Sequence, residues 1–253
     1  VGQNPESISP QYQWLENKAL PTVNVKIIPP SVNSEDITIS IATDPEGNVY
    51  LLTFGKGVAK RDSSGNLINP NFIPASALDS PLDIAIDENG LIYIADYFAG
   101  GETFEDNGKI KVFGPDGTIL TSKTILTSFY RPLGLDVKDN NVYVAEFNDG
   151  NSGPERNQLS RISIYDKNTK NVVARTDQVD TPLRIAVDSN KKVYVSQAGN
   201  NNPSVRIYSQ NLIYENSLQN IVSPGSIVID NFDFIHVIEY AGRIDFSQFI
   251  NFE

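Results

Sequence analysis

The chain has 253 residues, 40% of them hydrophobic, and a formal net charge of −11 at pH 7. A chain of this length can bury a sizeable core, and all-β chains of this size are commonly one domain. The acidic balance argues against a nucleic-acid or anionic-membrane partner, because neutralising phosphates requires a basic surface. Cysteine is absent, which excludes disulfides, thiol nucleophiles and thiolate metal sites.

The N-terminal segment, Val1–Asp36, differs from the rest of the chain. It is rich in proline, and its one alternating stretch predicts a strand over Val23–Ile28. We interpret Trp14, the single tryptophan, as a packing residue at one end of the core rather than a ligand-stacking residue.

From Ile37 onward, five units repeat the same order of apolar strand, turn and apolar strand. The units are Thr38–Phe54, Pro81–Tyr97, Pro132–Phe147, Pro182–Ala198 and Pro224–Tyr240. An aromatic-like position recurs in the second strand as Tyr50, Tyr93, Tyr143, Tyr194 and His236. An aspartate opens the turn as Asp44, Asp87, Asp188 and Asp230, whereas the third unit is one residue shorter and breaks this register.

The unit from Pro81 to Leu120 shows the pattern in full. Two apolar runs flank Asp87-Glu88-Asn89-Gly90, whose residues tolerate turn dihedrals, so the sequence predicts a hairpin. Two more strands complete a four-stranded antiparallel meander. Its predicted strands are Leu82–Ile86, Leu91–Ala95, Lys109–Phe113 and Thr118–Leu120. Third strands of the other units are predicted at Val58–Lys60, Ile162–Tyr165, Val205–Tyr208 and Ile244–Phe246.

The second strands indicate how the units assemble. In the second unit, Ile92 and Ile94 point to one face while Tyr93 and Ala95 point to the other, so both faces are apolar. Strands buried on both sides lose polar alternation. Radial stacking of blades supplies that double burial, and four-stranded repeats spaced by roughly 40 to 50 residues are typical of β-propellers. A solenoid is the alternative.

The repeat resembles that of NHL-repeat propellers over roughly residues 37–253. The shared pattern is P-x-x-[IL]-A-[IV]-D, then N-x-[IV]-Y-[IV]-A-[DE], then R-[IV]-x-[IV]-[FY]. The family's Asn-His-Arg signature at the start of the third strand is replaced here, and only Arg161 and Arg243 keep its arginine. The resemblance implies an all-β propeller, usually of six blades.

Five blades are evident in the sequence, and we favour a six-bladed closure. In that interpretation residues 1–36 form an N-terminal segment that completes the propeller as a degenerate blade, and residues 37–253 form the repeats of the same domain. In the five-bladed alternative, Val23–Ile28 adds an outer strand to the last blade.

Two long polar insertions fall on neighbouring units, between Asp96 and Lys109 and between Glu146 and Arg161. Both join a second strand to a third strand, so in a propeller they share one face. Loops on a rigid scaffold are where binding usually resides. We therefore predict a ligand-binding face for a protein or glycan. Its residues are Asp96, Tyr97, Phe98, Glu102, Phe104, Glu146, Phe147, Asn148, Asp149 and Asn151.

The same insertions are rich in oxygen ligands, which calcium prefers. The sequence therefore suggests a calcium site, with four carboxylates as candidate ligands: Asp96, Asp106, Glu146 and Asp149. A solvated loop without a metal is the alternative, and no other cofactor is predicted.

An enzyme is the second hypothesis. Amidating lyases of the NHL type use several histidines and streptogramin lyases pair a histidine with a carboxylate, whereas this chain has one histidine. His236 takes the place of a repeated tyrosine, so we expect it to pack between blades. Gluconolactonase-like propellers bind a divalent ion in the axial channel. Here the channel-mouth residues are expected to be Asp83, Gly134, Arg184 and Ser226, and the candidate carboxylates of a metal-dependent hydrolase or lactonase are Asp96, Glu146 and Glu239.

The sequence therefore favours a non-catalytic binding or scaffold propeller. The absence of cysteine and methionine, together with the acidic charge, fits a secreted or cell-surface bacterial protein. The chain begins at Val1 rather than methionine, which maturation would explain. No apolar stretch approaches the roughly 18 residues expected of a spanning helix.

Overall fold

The computed structural model describes residues 37–97, 108–126, 131–147, 160–177, 179–198, 204–218, 221, 224–230 and 232–239. These residues form β-strands joined by turns, with short 3-10 turns at Ala75–Ala77 and Thr121–Lys123. Within these ranges, no helix has the length and apolar character needed to cross a membrane.

The strands form consecutive antiparallel sheets in which spatial order follows chain order, as the meander predicts. Blade 1 contains β1 (Thr38–Thr43), β2 (Val49–Thr53), β3 (Gly57–Arg61) and β4 (Leu67–Pro74), and blade 2 contains β5 (Pro81–Ile86), β6 (Ile92–Asp96), β7 (Lys109–Phe113) and β8 (Ile125–Leu126). Blade 3 contains β9 (Arg131–Lys138), β10 (Asn141–Phe147), β11 (Arg161–Asp166) and β12 (Val172–Thr176). Blade 4 contains β13 (Pro182–Val187), β14 (Val193–Gln197), β15 (Ser204–Tyr208) and β16 (Tyr214–Leu218). The described part of blade 5 contains β17 (Pro224–Ile229) and β18 (Ile235–Glu239).

The first strands of the five blades lie innermost. Each of β1, β5, β9 and β13 contacts the first strand of the next blade, while the fourth strands lie outermost and are largely exposed. The arrangement is that of blades stacked around an axis, so the predicted propeller architecture is confirmed.

Each blade has two unlike faces. In blade 2, Tyr93 packs against Val144 of blade 3, while Ile94 packs against Tyr50 of blade 1. We call the side with the repeated tyrosine the Tyr face and the opposite side the Ile face. Blades 3 and 4, and blades 4 and 5, meet in the same way. The Tyr face of each blade therefore packs against the Ile face of the next.

The two faces at the ends of this series are exposed. Ile41, on the Ile face of blade 1, is 54% exposed, whereas its counterparts Ile84 and Leu135 are each 4% exposed. Ile238, on the Tyr face of blade 5, is 59% exposed, whereas its counterpart Ala95 is fully buried. No other described blade covers these two faces. Residues 1–36, which we predict to complete the propeller, and residues 240–253, at the end of the predicted repeats, lie outside the described residues, so the closure and the blade number stay predictions.

The repeated aspartate and tyrosine are joined by a hydrogen bond. In blade 1, the Asp44 carboxylate accepts from the Asn48 backbone N–H at 2.8 Å and from the Tyr50 hydroxyl at 2.9 Å. Burial alone would raise the pKa of Asp44, but these bonds and the nearby Lys60 lower it overall. The same tyrosine-to-aspartate bond recurs in blades 2 and 4. One carboxylate thus fixes the turn and satisfies a buried hydroxyl, which explains why the two residues recur together.

The third blade confirms the shorter unit. Its first two strands are joined by a two-residue turn, Asp139-Asn140, with Lys138 paired to Asn141 across it. Asp139 has a φ of 51°, a left-handed conformation that aspartate tolerates better than most residues. The shorter third unit therefore has a two-residue turn in place of the longer aspartate turn, and the pairing of its first two strands continues up to this turn.

The predicted fourth strand of blade 2, Thr118–Leu120, is wrong. Ile119 forms an isolated bridge to Phe113, and the strand lies instead at Ile125–Leu126. A 3-10 turn at Thr121–Lys123 separates the two positions. The reason lies in burial, because Ile125 is 1% exposed whereas Ile119 is 47% exposed.

Candidate functional site

The ends of β6 and β10 lie close together on one end of the propeller. Tyr97, directly after β6, shares an apolar cluster with Leu133 and Leu183, and Phe147 at the end of β10 packs on the same cluster. The described bases of the two long insertions are therefore neighbours, on adjacent blades. Tyr97 is 5% exposed, so its ring packs against the blades at the strand end and is not presented to solvent. The other residues predicted for this face lie outside the described residues: Phe98, Glu102, Phe104, Asn148, Asp149 and Asn151.

Asp96 is fully buried at the end of β6. Its carboxylate accepts from the backbone N–H groups of Asp79 at 3.0 Å and Ser80 at 2.7 Å, and it lies 2.8 Å from the Lys111 ammonium. Asp79 and Ser80 belong to the link that leads into blade 2. Asp96 therefore ties the start of its blade to the end of the second strand.

Glu146 is fully buried at the corresponding position of blade 3. It accepts hydrogen bonds from the Arg161 guanidinium, from the Ser163 hydroxyl at 2.8 Å and from the Tyr165 hydroxyl at 2.5 Å. Burial, together with the negative charge of Glu146, raises the pKa of Tyr165. The three donors follow one another along β11, so Glu146 joins the second and third strands at the base of an insertion.

The two carboxylates predicted as metal ligands are thus held in separate hydrogen-bond networks. Within the described ranges, no three aspartate, glutamate or histidine side chains lie close enough to hold a metal ion. Asp106 and Asp149, which complete the predicted calcium set, lie outside those ranges. The calcium site stays a prediction.

Carboxylates on the inner strands reach across to the next blade. Asp83 of blade 2 accepts from the Ser40 hydroxyl of blade 1 at 2.6 Å and from the Leu135 backbone N–H of blade 3 at 2.9 Å. Asp136 of blade 3 accepts from the Val187 backbone N–H of blade 4 at 2.8 Å. These bonds satisfy N–H groups on inner edges, where the blade's own ladder supplies no partner.

Asp136 is an inner-strand residue that our sequence analysis missed. Burial, with a contribution from the charge of Asp83, raises the pKa of Asp136 to about 6. Its counterparts in blades 2 and 4 are Ala85 and Ala186. An acidic residue at a position held by alanine in blades 1, 2 and 4 and by valine in blade 5 was the available signal.

Three of the four residues predicted for the channel mouth, Asp83, Gly134 and Arg184, lie together on the inner strands. The Arg184 guanidinium donates to the backbone oxygens of Leu133 at 2.9 Å and Leu82 at 3.2 Å, and its Nε lies 3.9 Å from Asp83. A Cβ at Gly134 would lie 2.7 Å from the Arg184 Cα, so this position requires glycine. Ser226 lies on β17. A positive side chain thus occupies the mouth where a catalytic metal was the alternative hypothesis.

The expectation that His236 packs between blades stays a prediction. His236 is exposed among the described residues, because no described blade covers the Tyr face of blade 5 and residues 1–36 lie outside the described ranges. Its Nε2 lies 3.0 Å from Asp230, which repeats the bond between tyrosine and turn aspartate. This hydrogen bond from His236 is the main cause that lowers the pKa of Asp230. Glu239 ends β18, and its side chain lies outside the described set.

Comparison with known proteins finds no matching family model and no matching curated protein. Solved structures do match. A streptogramin B lyase has a TM-score of 0.59 at 15% identity, covering 80% of this chain and 62% of the lyase chain. A chain of a nidogen/laminin complex has a TM-score of 0.60 at 17% identity, covering 81% of this chain and 72% of that chain. A Xanthomonas campestris gluconolactonase has a TM-score of 0.58 at 13% identity, covering 79% of this chain and 68% of the enzyme.

These neighbours are propellers of the NHL and gluconolactonase types. The fold of this chain is a β-propeller. Identities this low show the fold alone, and the propeller spans less than two thirds of the streptogramin B lyase chain. Since the neighbours include enzymes and a protein complex, the fold by itself does not decide the function of the propeller.

Replacing Glu146 tests whether its role is structural. We expect Glu146→Gln to lower the free energy of unfolding by about 3 kcal/mol, because the buried Arg161 loses its charged partner. Urea denaturation with and without millimolar calcium measures this. Glu46→Gln, at an exposed turn position, is the control and should change little. A destabilisation that appears only when calcium is present would instead make Glu146 a metal ligand.

The raised pKa of Asp136 predicts a pH dependence. The folded pKa of about 6 lies above the ordinary aspartate value of 3.8, so the folded state binds this proton more tightly than the unfolded state. The stability that Asp136 contributes is therefore present below about pH 4 and is lost as the pH rises through about 6. The unfolding free energy of the wild type should fall relative to Asp136→Asn over this window. Urea titrations across it measure the difference, and a constant difference would contradict the assignment.

Proposed function

We propose that this chain is a non-catalytic scaffold propeller that binds a protein partner through the face where β6 and β10 end. The burial of Asp96 and Glu146 is the main support for this proposal. Both carboxylates are fully buried and bonded to internal donors, so they serve as fixed bases for the insertions. A face built in this way presents loops from rigid strand ends, which suits binding.

The described base of this face is a packed platform. The Arg131 guanidinium lies 5.3 Å from the centre of the Tyr97 ring, and the two side chains are each less than a tenth exposed. Cation–π contacts of this kind hold both groups in place. The strand ends of blades 2 and 3 are therefore fixed relative to each other before any partner arrives.

The sequence of the first insertion suggests what the partner presents. It carries Glu102, Glu105 and Asp106 beside Phe98 and Phe104. Aromatic residues anchor many interfaces, and acidic residues steer partners of opposite charge. We propose a protein with a basic, partly apolar patch, and a glycan is the alternative ligand. The likeness in fold to a chain of the nidogen/laminin complex supports a protein partner.

The enzyme alternative, a metal-dependent hydrolase or lactonase in the axial channel, has less support. The lyase and gluconolactonase neighbours favour it at the level of fold. Against it, Arg184 donates to backbone oxygens where the channel mouth is predicted, and Asp96 and Glu146 are held by internal donors. A calcium ion in the insertions and a secreted or cell-surface location in a bacterium belong to the proposal as further expectations.

Site-specific photo-crosslinking locates the working face. A photo-reactive residue is placed at Asn148, beside the end of β10, and in a second variant at Glu46, in a turn at the opposite end of blade 1. Each variant is incubated with extract of the source cells, and the crosslinked species are identified by mass spectrometry. We expect a protein crosslink from position 148 and none from position 46. Crosslinks from position 46 alone, or to glycan alone, would contradict the proposal.

Loop replacement then measures the contribution of the insertions. Residues 98–107 and 148–159 are each replaced by Asn-Gly, a short turn that costs little closure entropy. We expect the melting temperature to stay nearly unchanged and the affinity for the purified crosslinked protein to fall at least about tenfold, equal to about 1.4 kcal/mol. Glu46→Gln is the control for charge. Unchanged affinity of the shortened protein, or lactone hydrolysis by the wild type, would overturn the proposal.

A further inference from the structure

Equivalent backbone oxygens of three blades converge on one side chain. Leu82, Leu133 and Leu183 each follow the proline near the start of the first strand of blades 2, 3 and 4. Their carbonyl oxygens all accept from the Arg184 guanidinium, at 3.2, 2.9 and 3.0 Å. A single cation thus links three blades at the mouth of the axial channel.

The three leucines share a backbone irregularity that frees these oxygens. In each blade, the pairing of the first and second strands shifts register at this residue, so the leucine is the extra residue of a bulge. A bulged residue leaves the regular ladder. The first strand also has no further strand of its own blade on its inner side. The three carbonyls therefore need a donor from the axis, since an unsatisfied buried carbonyl costs about 1–3 kcal/mol.

The residues around the guanidinium fit a cation at this place. The counterparts of Arg184 in blades 2 and 3 are Asp83 and Gly134. Asp83 supplies a carboxylate 3.9 Å from the Arg184 Nε. Gly134 has no Cβ, and a Cβ at this position would clash with the Arg184 backbone. The equivalent positions of blades 2, 3 and 4 thus carry one negative side chain, one glycine and one positive side chain. Carbonyl and carboxylate oxygens are the groups that free cations also select.

We propose that the bulged carbonyls form a cation site and that Arg184 is a built-in cation which fills it, in place of a free ion. The site suits a planar guanidinium, because the two terminal nitrogens of the guanidinium donate to different carbonyls at the same time. Removing the side chain leaves three oxygen acceptors and the Asp83 carboxylate facing an opening. A small alkylguanidinium from solution then fits the same place.

Chemical rescue of Arg184→Gly tests this proposal in the full chain. We expect the variant to melt about 5–10 °C below the wild type and to regain at least half of this loss in millimolar ethylguanidinium. Ethylurea, a neutral molecule of similar shape, should give no recovery. Arg175→Gly removes an exposed arginine on β12, whose Nε donates to the Ser163 hydroxyl at 3.2 Å but which contacts no bulged carbonyl, and is the matched control, which ethylguanidinium should not stabilise. No recovery of Arg184→Gly, or an equal shift in the control, would overturn the proposal.

A measurement on the wild type covers the case in which Arg184→Gly does not fold. Nitrogen-15 NMR resolves the Nη protons of an arginine when hydrogen bonds stop the guanidinium from rotating. Arg184 should give separate, slowly exchanging Nη signals, and the exposed Arg175 should give averaged ones. Averaged signals from Arg184 would show that the carbonyls do not hold the guanidinium, and the proposal would fail.

Discussion

The structure depends on the packing of two unlike apolar faces. A blade with a Tyr face and an Ile face cannot bury both alone, so every blade requires a neighbour on each side. Tyr93 meets Val144 and Ile94 meets Tyr50 for this reason. The same packing brings the inner strands side by side, which lets Asp83 reach the Leu135 N–H. Interblade hydrogen bonds are thus a consequence of face packing, and they fix its alignment.

Local signals made much of this predictable. The pairing of Asp44 with a turn, and the position of Tyr50 in the next strand, follow from residues close in the chain. The short turn at Asp139-Asn140 was visible as a missing residue. Long-range contacts were not visible, because the bonds of Glu146 to Ser163 and Tyr165 span an insertion. Blade 2 shows the limit of pattern alone, since Ile119 and Ile125 are both apolar and burial chooses between them.

Charged side chains that the sequence suggested as parts of a binding or catalytic site hold the strands of this propeller together. Asp96 and Glu146 face internal donors, and Arg184 faces backbone oxygens. Fixed charges at the strand ends hold the described bases of the two insertions in place. These fixed bases connect the described packing to the proposed binding role.

The packing of unlike faces implies that an Ile face is stable only when it is covered, and a charge placed at Ile41 of blade 1 probes this. Ile41 lies on the innermost strand of blade 1, and Ile68 lies on the outermost strand of the same blade. Each side chain is 54% exposed among the described residues. If residues 1–36 cover the Ile face of blade 1, Ile41→Asp should lower the unfolding free energy in urea by about 2–4 kcal/mol, because a charge enters an apolar contact. Ile68→Asp should change it by less than about 0.5 kcal/mol. Equal small effects of the two substitutions would show that this face is stable when uncovered, and blade packing would then not require a neighbour on each side.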